Sequence, residues 1–131
     1  MSEPLISFEV REKYLLVVGH GKRDNLMKMA EAADRIVKTA VEYDRRLMLV
    51  DYRKLEIEVP MSEAFNIVRG YEAHQPDLKQ IIVAAVFDRK DNERGWIFGN
   101  FWKEIGAKRG FHIEVFDDID VAEQWLLTQV S

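Results

Sequence analysis

Four consecutive residues, Asp51, Tyr52, Arg53 and Lys54, concentrate the chemistry of this sequence. A carboxylate, a phenol and two cations follow directly on the apolar run Leu47-Met48-Leu49-Val50, which reads as a strand. Open α/β sheets place their sites outside the carboxyl ends of strands, so residues 51–59 form the first candidate binding surface. An aspartate there invites phosphoryl acceptance. That chemistry needs Mg²⁺ held by an acidic pair after an early strand, with a hydroxyl residue and a lysine after later ones. The corresponding strands end Gly19-His20, Val86-Phe87-Asp88 and Phe116-Asp117, so those partners are missing. Asp51 is expected instead to cap the turn or to pair with Arg53 or a neighbouring arginine.

A second candidate is Gly19-His20-Gly21-Lys22-Arg23-Asp24, read as a turn from a strand into a helix. Free backbone N–H groups at a helix start, with Lys22 and Arg23 beside them, suit an anion. The segment matches neither G-x-x-x-x-G-K-[ST] nor G-x-G-x-x-G. A tight turn with a cap is the plainer explanation, so Gly19, Gly21, Lys22 and Arg23 form an anion site of the weaker kind. His20, His74 and His112 have no ligand-type partners at helical spacing, and no metal site is expected. The serines include no G-x-S-x-G elbow. Glu56 and Glu58 alternate with Leu55, Ile57 and Val59 and read as the wet face of an extended segment. Nucleophilic and general acid–base catalysis both lack candidates, and no cofactor is expected.

The third candidate lies on a helix over residues 93–109. Ile97, Phe98, Phe101, Trp102 and Ile105 form a wide apolar arc, and Gly95, Gly99 and Gly106 fall beside Trp102 on one strip. An interior glycine costs about 1 kcal/mol relative to alanine, so the strip implies a close approach, by a ligand, a second subunit or the sheet itself. Trp96 points away from the arc and reads as an exposed anchor, the residue type enriched at interface hot spots. Trp96 and the strip together predict a homodimer.

Composition bounds what these residues can do. The chain has 131 residues, 47% hydrophobic and 32% charged, which suits one globular domain over residues 1–131. The sequence contains no cysteine, which removes disulfides, zinc–thiolate sites and thiol catalysis. A formal net charge of −4 gives no general attraction to nucleic acid. No apolar run approaches the roughly 20 residues of a membrane-spanning helix, and the N-terminal sequence carries no signal-peptide pattern. A cytoplasmic protein without an integral membrane segment is expected.

Period-two alternation at Ile6, Phe8 and Val10 predicts an edge strand, and Tyr14-Leu15-Leu16-Val17-Val18 a second strand paired with it as a hairpin. Leu26, Met29, Ala30, Ala33, Ile36, Val37, Ala40 and Val41 repeat at helical spacing, with Asp24 as the expected N-cap. A strand over residues 46–51 follows, then a helix over residues 62–74 that buries Phe65, Val68 and Tyr71. Ile81 to Phe87 is apolar on both faces, as a covered central strand must be. After the glycine-bearing helix come a strand at residues 113–116 and a last helix carrying Val121, Ala122, Trp125 and Leu126, with Asp120 and Glu123 at capping-box spacing. The order β-β-α-β-α-β-α-β-α predicts an α/β fold with a mostly parallel five-stranded sheet.

The layout and several local patterns resemble the SpoIIAA-like domains related to the STAS family, which includes the anti-sigma-factor antagonists. Leu49-Val50-Asp51-Tyr52-Arg53, Ile81-Ile82-Val83-Ala84, Gly106 and Gly110 before Val115-Phe116, and Ala122-x-x-Trp125-Leu126 carry the resemblance. It implies strands laid out mostly in sequence order and a small cytoplasmic domain that works by binding, not turnover. Partner-switching antagonists carry a phosphorylatable serine or threonine just after the aspartate. Here Tyr52, Arg53 and Lys54 follow Asp51, and the next serine or threonine is Ser62, so the phospho-switch is not carried over. The expected function is a non-enzymatic regulatory or binding module that takes a protein partner through Asp51, Tyr52, Arg53, Lys54, Trp96 and Trp102. The alternative is a carrier of a lipid-like or other apolar small molecule, since the broader superfamily includes lipid-binding domains of the CRAL-TRIO type. An enzyme acting on a phosphorylated metabolite at residues 19–23 comes third.

Overall fold

The computed structural model describes residues 6–24, 26–60, 62, 66, 81–108 and 112–129. Strands β1 (Ile6–Val10), β2 (Leu15–Arg23), β3 (Leu47–Ile57), β4 (Ile82–Val86) and β5 (His112–Phe116) form one sheet in sequence order. The β1–β2 pair is antiparallel and the other three pairs are parallel. Helices α1 (Leu26–Glu42), α2 (Glu93–Lys108) and α3 (Ile119–Leu127) supply the described crossovers and the C-terminal cover. The helix expected over residues 62–74 lies outside the described residues. No helix among the described residues is long and apolar enough to cross a membrane.

The alternation of side chains along β3 divides the interior into two cores. Met48 and Val50 join Leu15, Val17, Val83, Ala85 and the buried stripe of α1 on one face. Leu47 and Leu49 join Ala84, Val86 and the Ala122 and Leu126 side chains of α3 on the other. On α1, Met29, Ala33, Ile36, Val37 and Ala40 are buried as their spacing requires, but Val41 is 53% exposed because it lies at the flank of the stripe. Asp44 closes α1 in the left-handed region, at φ 52°. The Arg45 N–H donates to the Ala40 carbonyl at 2.9 Å and the Asp44 N–H to Val41 at 3.2 Å, the paired bonds of a Schellman cap.

Two strands are longer than the sequence reading allows. The Gly19–Arg23 segment is strand, not a turn into α1, and the segment after Asp51 is strand as far as Ile57. The two continue to pair beyond the end of β4, from His20 with Lys54 to Arg23 with Ile57. Extending the ladder satisfies backbone groups that a loop would leave to solvent. The register slips between Val18 and His20. Val18 faces Asp51 and His20 faces Lys54, so β3 fits two residues, Tyr52 and Arg53, where β2 fits Gly19 alone. This bulge re-phases the strand. Met48, Val50 and Tyr52 share the larger core before it, and Leu55 and Ile57, with Val59 just beyond the strand, share the same core after it. Glu56 and Glu58 stay exposed, as their alternation predicts.

One local cap also differs from the expectation. Asp118, not Asp120, is the N-cap of α3, accepting from the backbone N–H groups of Asp120 and Val121. Glu123 is thereby free of a capping role and instead accepts from the Tyr14 hydroxyl. Asp24 pairs with Lys28 at 3.0 Å. Glu114 is half-buried, and Lys103 of α2 reaches across to it.

Candidate functional site

The carboxyl end of β3 separates its residues by face. Asp51 and Arg53 emerge on one side, and the bulge turns Lys54 out as well. Arg53 grips Asp51 with two side-chain bonds, Nε to Oδ1 at 2.8 Å and Nη2 to Oδ2 at 2.8 Å, while its backbone N–H donates to Oδ1 at 3.2 Å. This is a bidentate fork on a carboxylate, the strongest common form of such a pair. Burial pushes the Asp51 carboxyl up, but the side-chain and backbone hydrogen bonds from Arg53, helped by the charges of Arg53 and Lys54, outweigh it and leave the group below the ordinary range. The hydrogen bond to Asp51 raises the Arg53 guanidinium above its ordinary value against the opposing effect of burial, and Asp118 and Asp120 at the start of α3 add to the effect. A carboxylate ionised and occupied on both oxygens is a poor base and a poor nucleophile. Asp51 is therefore a positioning group for Arg53, in line with the pairing expected from sequence.

Tyr52 goes the other way. It is 4% exposed, and its ring lies against Phe87, with centroids 5.8 Å apart at 67°. It cannot be part of the same exposed surface as Arg53 and Lys54. Gly19 explains how the ring fits: a Cβ there would stand 2.6 Å from Tyr52 Cε1. Gly21 has φ 83°, a conformation that glycine adopts readily and side-chain-bearing residues do not. The two glycines of the expected anion turn thus serve a close approach and a positive-φ position within β2. Their N–H groups are not presented at a helix start, since the segment pairs with β3. Lys22 is exposed and lies 3.4 Å from Glu58. Arg23 is buried, and its Nη1 donates to the Tyr52 hydroxyl at 3.2 Å.

On α2 the buried side is Gly95, Phe98, Gly99, Trp102 and Gly106. The wide arc read from the sequence is therefore narrower: Ile97 and Phe101 are exposed, at 48% and 40%. The glycine strip lies against the protein's own interior, where a Cβ on Gly99 would stand 2.3 Å from Phe87 Cε2. Trp96 is half-buried, packed on the larger core, with the Arg89 guanidinium 5.3 Å from its ring centroid. It is not an exposed anchor. Trp102 is 8% exposed and lines a cavity with Tyr52 and Phe98.

Two features escaped the sequence reading. Asn92 caps α2, its Oδ1 accepting from the Gly95 N–H at 3.1 Å, while its Nδ2 donates to the Leu55 carbonyl at 2.6 Å and ties the helix to the β3 extension. The buried Arg23–Tyr52 pair is the other. Its signal was present in the change of apolar phase from Met48, Val50 and Tyr52 to Leu55, Ile57 and Val59, which only a bulge can keep on one face. Among the described residues no three histidine, aspartate or glutamate side chains converge as a metal-binding group.

No family model matches this sequence, and no curated protein does. Solved structures do match its fold. One is an anti-sigma factor antagonist from Mycobacterium paratuberculosis, with TM-score 0.59 and 16% identity over 93% of this chain and 92% of that one. Another is the anti-sigma factor antagonist SpoIIAA in its unphosphorylated form, with TM-score 0.55 and 9% identity over 96% of this chain and 99% of that one. At these identities the shared property is the backbone arrangement: this chain has the SpoIIAA-like, STAS-type fold.

Proposed function

We propose that this chain is a non-enzymatic regulatory module that binds a protein partner through the carboxyl end of β3, with Arg53 and Lys54 as its contact residues and Asp51 holding Arg53 in place. The observation that carries the reading is the Asp51–Arg53 fork beside the β3 bulge, a preorganised cation at the strand end of an antagonist-type fold. An arginine already held by a carboxylate loses less side-chain freedom when it meets a partner. The hydroxyl position that follows the aspartate in partner-switching antagonists is filled here by buried Tyr52, so recognition without a serine or threonine switch is the natural form of the proposal. A cytoplasmic setting belongs to the same reading. Arg53→Ala combined with Lys54→Ala should leave folding intact and abolish capture of a specific partner by the immobilised domain, quantified by mass spectrometry against wild type. Equal recovery by both proteins refutes it.

Carriage of a lipid-like or other apolar molecule is the second reading, supported by the apolar lining of the cavity beside Phe98 and Trp102. Its volume of about 20 Å³ suits a water molecule rather than an acyl chain. Native mass spectrometry of gently purified protein that shows only the bare chain removes this reading. Homodimerisation is a separate proposal and belongs to Ile97 and Phe101, the exposed apolar residues of α2, rather than to Trp96 or the glycines. A monomer mass by light scattering at high concentration refutes it.

A further inference from the structure

Arg23 is the one charged residue among the described residues that is fully withdrawn from solvent, at 5% exposure. Its guanidinium carbon lies 4.8 Å from the centroid of the Tyr52 ring, and Nη1 donates to the Tyr52 hydroxyl. Nη2 is buried and has no hydrogen-bond partner among the described residues. The carboxylates closest to Arg23 along the backbone are engaged elsewhere. Asp24, next in the chain, pairs with Lys28 at 3.0 Å. Glu58, whose backbone N–H donates to the Arg23 carbonyl, lies 3.4 Å from Lys22. An arginine side chain stays charged inside a protein. Cation–π attraction offsets only part of the cost of removing that charge from water, and a buried cation without a counter-charge is strongly unfavourable.

Arg23 borders a cavity of about 20 Å³ lined also by Met29, Ala33, Tyr52, Phe98 and Trp102. That volume takes about one water-sized species. The lining is apolar apart from the guanidinium, the Tyr52 hydroxyl and the Trp102 indole N–H, and it contains no acidic side chain. Tyr52 accepts from Arg23 and keeps its own O–H to donate. The cavity thus offers a fixed positive charge and hydrogen-bond donors within the space of a single atom. A water molecule there would satisfy the Nη2 donor and leave the charge uncompensated. A monatomic anion does both. Carboxylates, sulfate and phosphate carry several heavy atoms and exceed the volume.

We infer that Arg23 and Tyr52 form a binding site for a single halide ion, chloride in the first place. The ion accepts from Arg23 Nη2 and from the Tyr52 hydroxyl and supplies the counter-charge, while Met29 and Phe98 keep competing water away. Apolar walls favour chloride and bromide over fluoride, the smaller ion being the costlier to strip of its water. Because the site exists only in the folded chain, the ion stabilises the fold by mass action. The site is independent of the partner-binding surface. Tyr52 belongs to the core shared with α1 and α2 and Arg23 lies over its ring, whereas Arg53 lies on the side of Asp118 and Asp120.

The test follows unfolding at constant ionic strength while sodium chloride or sodium bromide replaces sodium gluconate, with sodium acetate and sodium phosphate as size controls. Chloride and bromide should each stabilise the fold along a saturation curve. Chloride at about ten times its dissociation constant should lower the unfolding equilibrium constant about elevenfold. Acetate and phosphate should show no saturable component. In ¹⁵N-labelled protein the side-chain N–H signals of Arg23 and Trp102 should shift along the same chloride curve. Arg23→Met keeps the length and apolar volume, removes the charge, and should erase the chloride dependence. Crystals of the wild-type protein grown in sodium bromide decide the matter without any variant, since anomalous scattering should place bromide beside Arg23 Nη2 and the Tyr52 hydroxyl. Water in place of bromide at that position overturns the inference. So do stability without a saturable halide dependence, an equal saturable response to acetate or phosphate, or an undiminished chloride response in Arg23→Met.

Discussion

Gly99→Ala reverses the usual rule for glycine in a helix. At an exposed interior position the change stabilises by about 1 kcal/mol, because alanine loses less backbone entropy. At Gly99 the new methyl would stand 2.3 Å from Cε2, 2.8 Å from Cζ and 2.9 Å from Cδ2 of Phe87. Ordinary carbon contacts begin near 3.5 Å, so ring and helix must part by about 1 Å. Phe87 is 1% exposed and braced against Tyr52, which leaves it little room to yield. Overpacking of this kind costs typically about 1–3 kcal/mol, and the contact is severe enough to put this case at the upper end. Subtracting the propensity gain leaves a net loss of about 1–2 kcal/mol, or a fall of roughly 3–8 °C in Tm for a chain of this size. Urea unfolding followed by circular dichroism measures the loss directly. Phe87→Leu removes the two nearest ring atoms, so Gly99→Ala in that background should cost at least about 1 kcal/mol less than in wild type. A variant with Gly99→Ala alone that is as stable as wild type, or more so, refutes the claim that close packing on Phe87 is what requires glycine there.

Three further outcomes follow from named contacts. Burial, then the hydrogen bond to Glu123 and its charge, push the Tyr14 phenol up to about 12. The folded state therefore holds this proton more tightly than the unfolded chain, and the associated stability is complete below pH about 10 and lost as pH rises toward about 12. It amounts to about 2–3 kcal/mol, so Tyr14→Phe should cost about 1–2 kcal/mol at neutral pH and flatten the alkaline decline in urea midpoint; parallel wild-type and variant curves refute this. Asn92→Ala removes the α2 cap and the bond to the Leu55 carbonyl, and should cost about 2 kcal/mol by urea unfolding. Asp44→Gly relieves a side chain at φ 52° and should raise Tm by a few degrees, a gain of up to about 1 kcal/mol, measured by calorimetry.

Much of the architecture was written in local pattern. The alternation of Ile6, Phe8 and Val10, the helical stripe from Met29 to Ala40 and the doubly apolar run before Phe87 each match one period and one burial environment, and each element formed where its pattern lies. The pairing of Asp51 with Arg53 was among the legible alternatives too, because residues of opposite charge two positions apart on an extended chain share a face. The segment from Gly19 to Arg23 is strand where its sequence predicts a turn, because paired glycines signal a turn unless a neighbouring strand offers a ladder.

What the sequence determined by itself, then, is the order of the described elements and the mostly parallel sheet, with an arginine partner for Asp51 among its alternatives. These depend on periodicity and on residues close in the chain. Tertiary structure alone decided which side chains share an interior. Gly19 left room for the Tyr52 ring beside Arg23, and Phe87 claimed the space over Gly99 that left α2 no room for a methyl. Both depend on contacts between residues distant in sequence, and close packing tolerates errors of less than a methyl group. No local pattern carries information that fine.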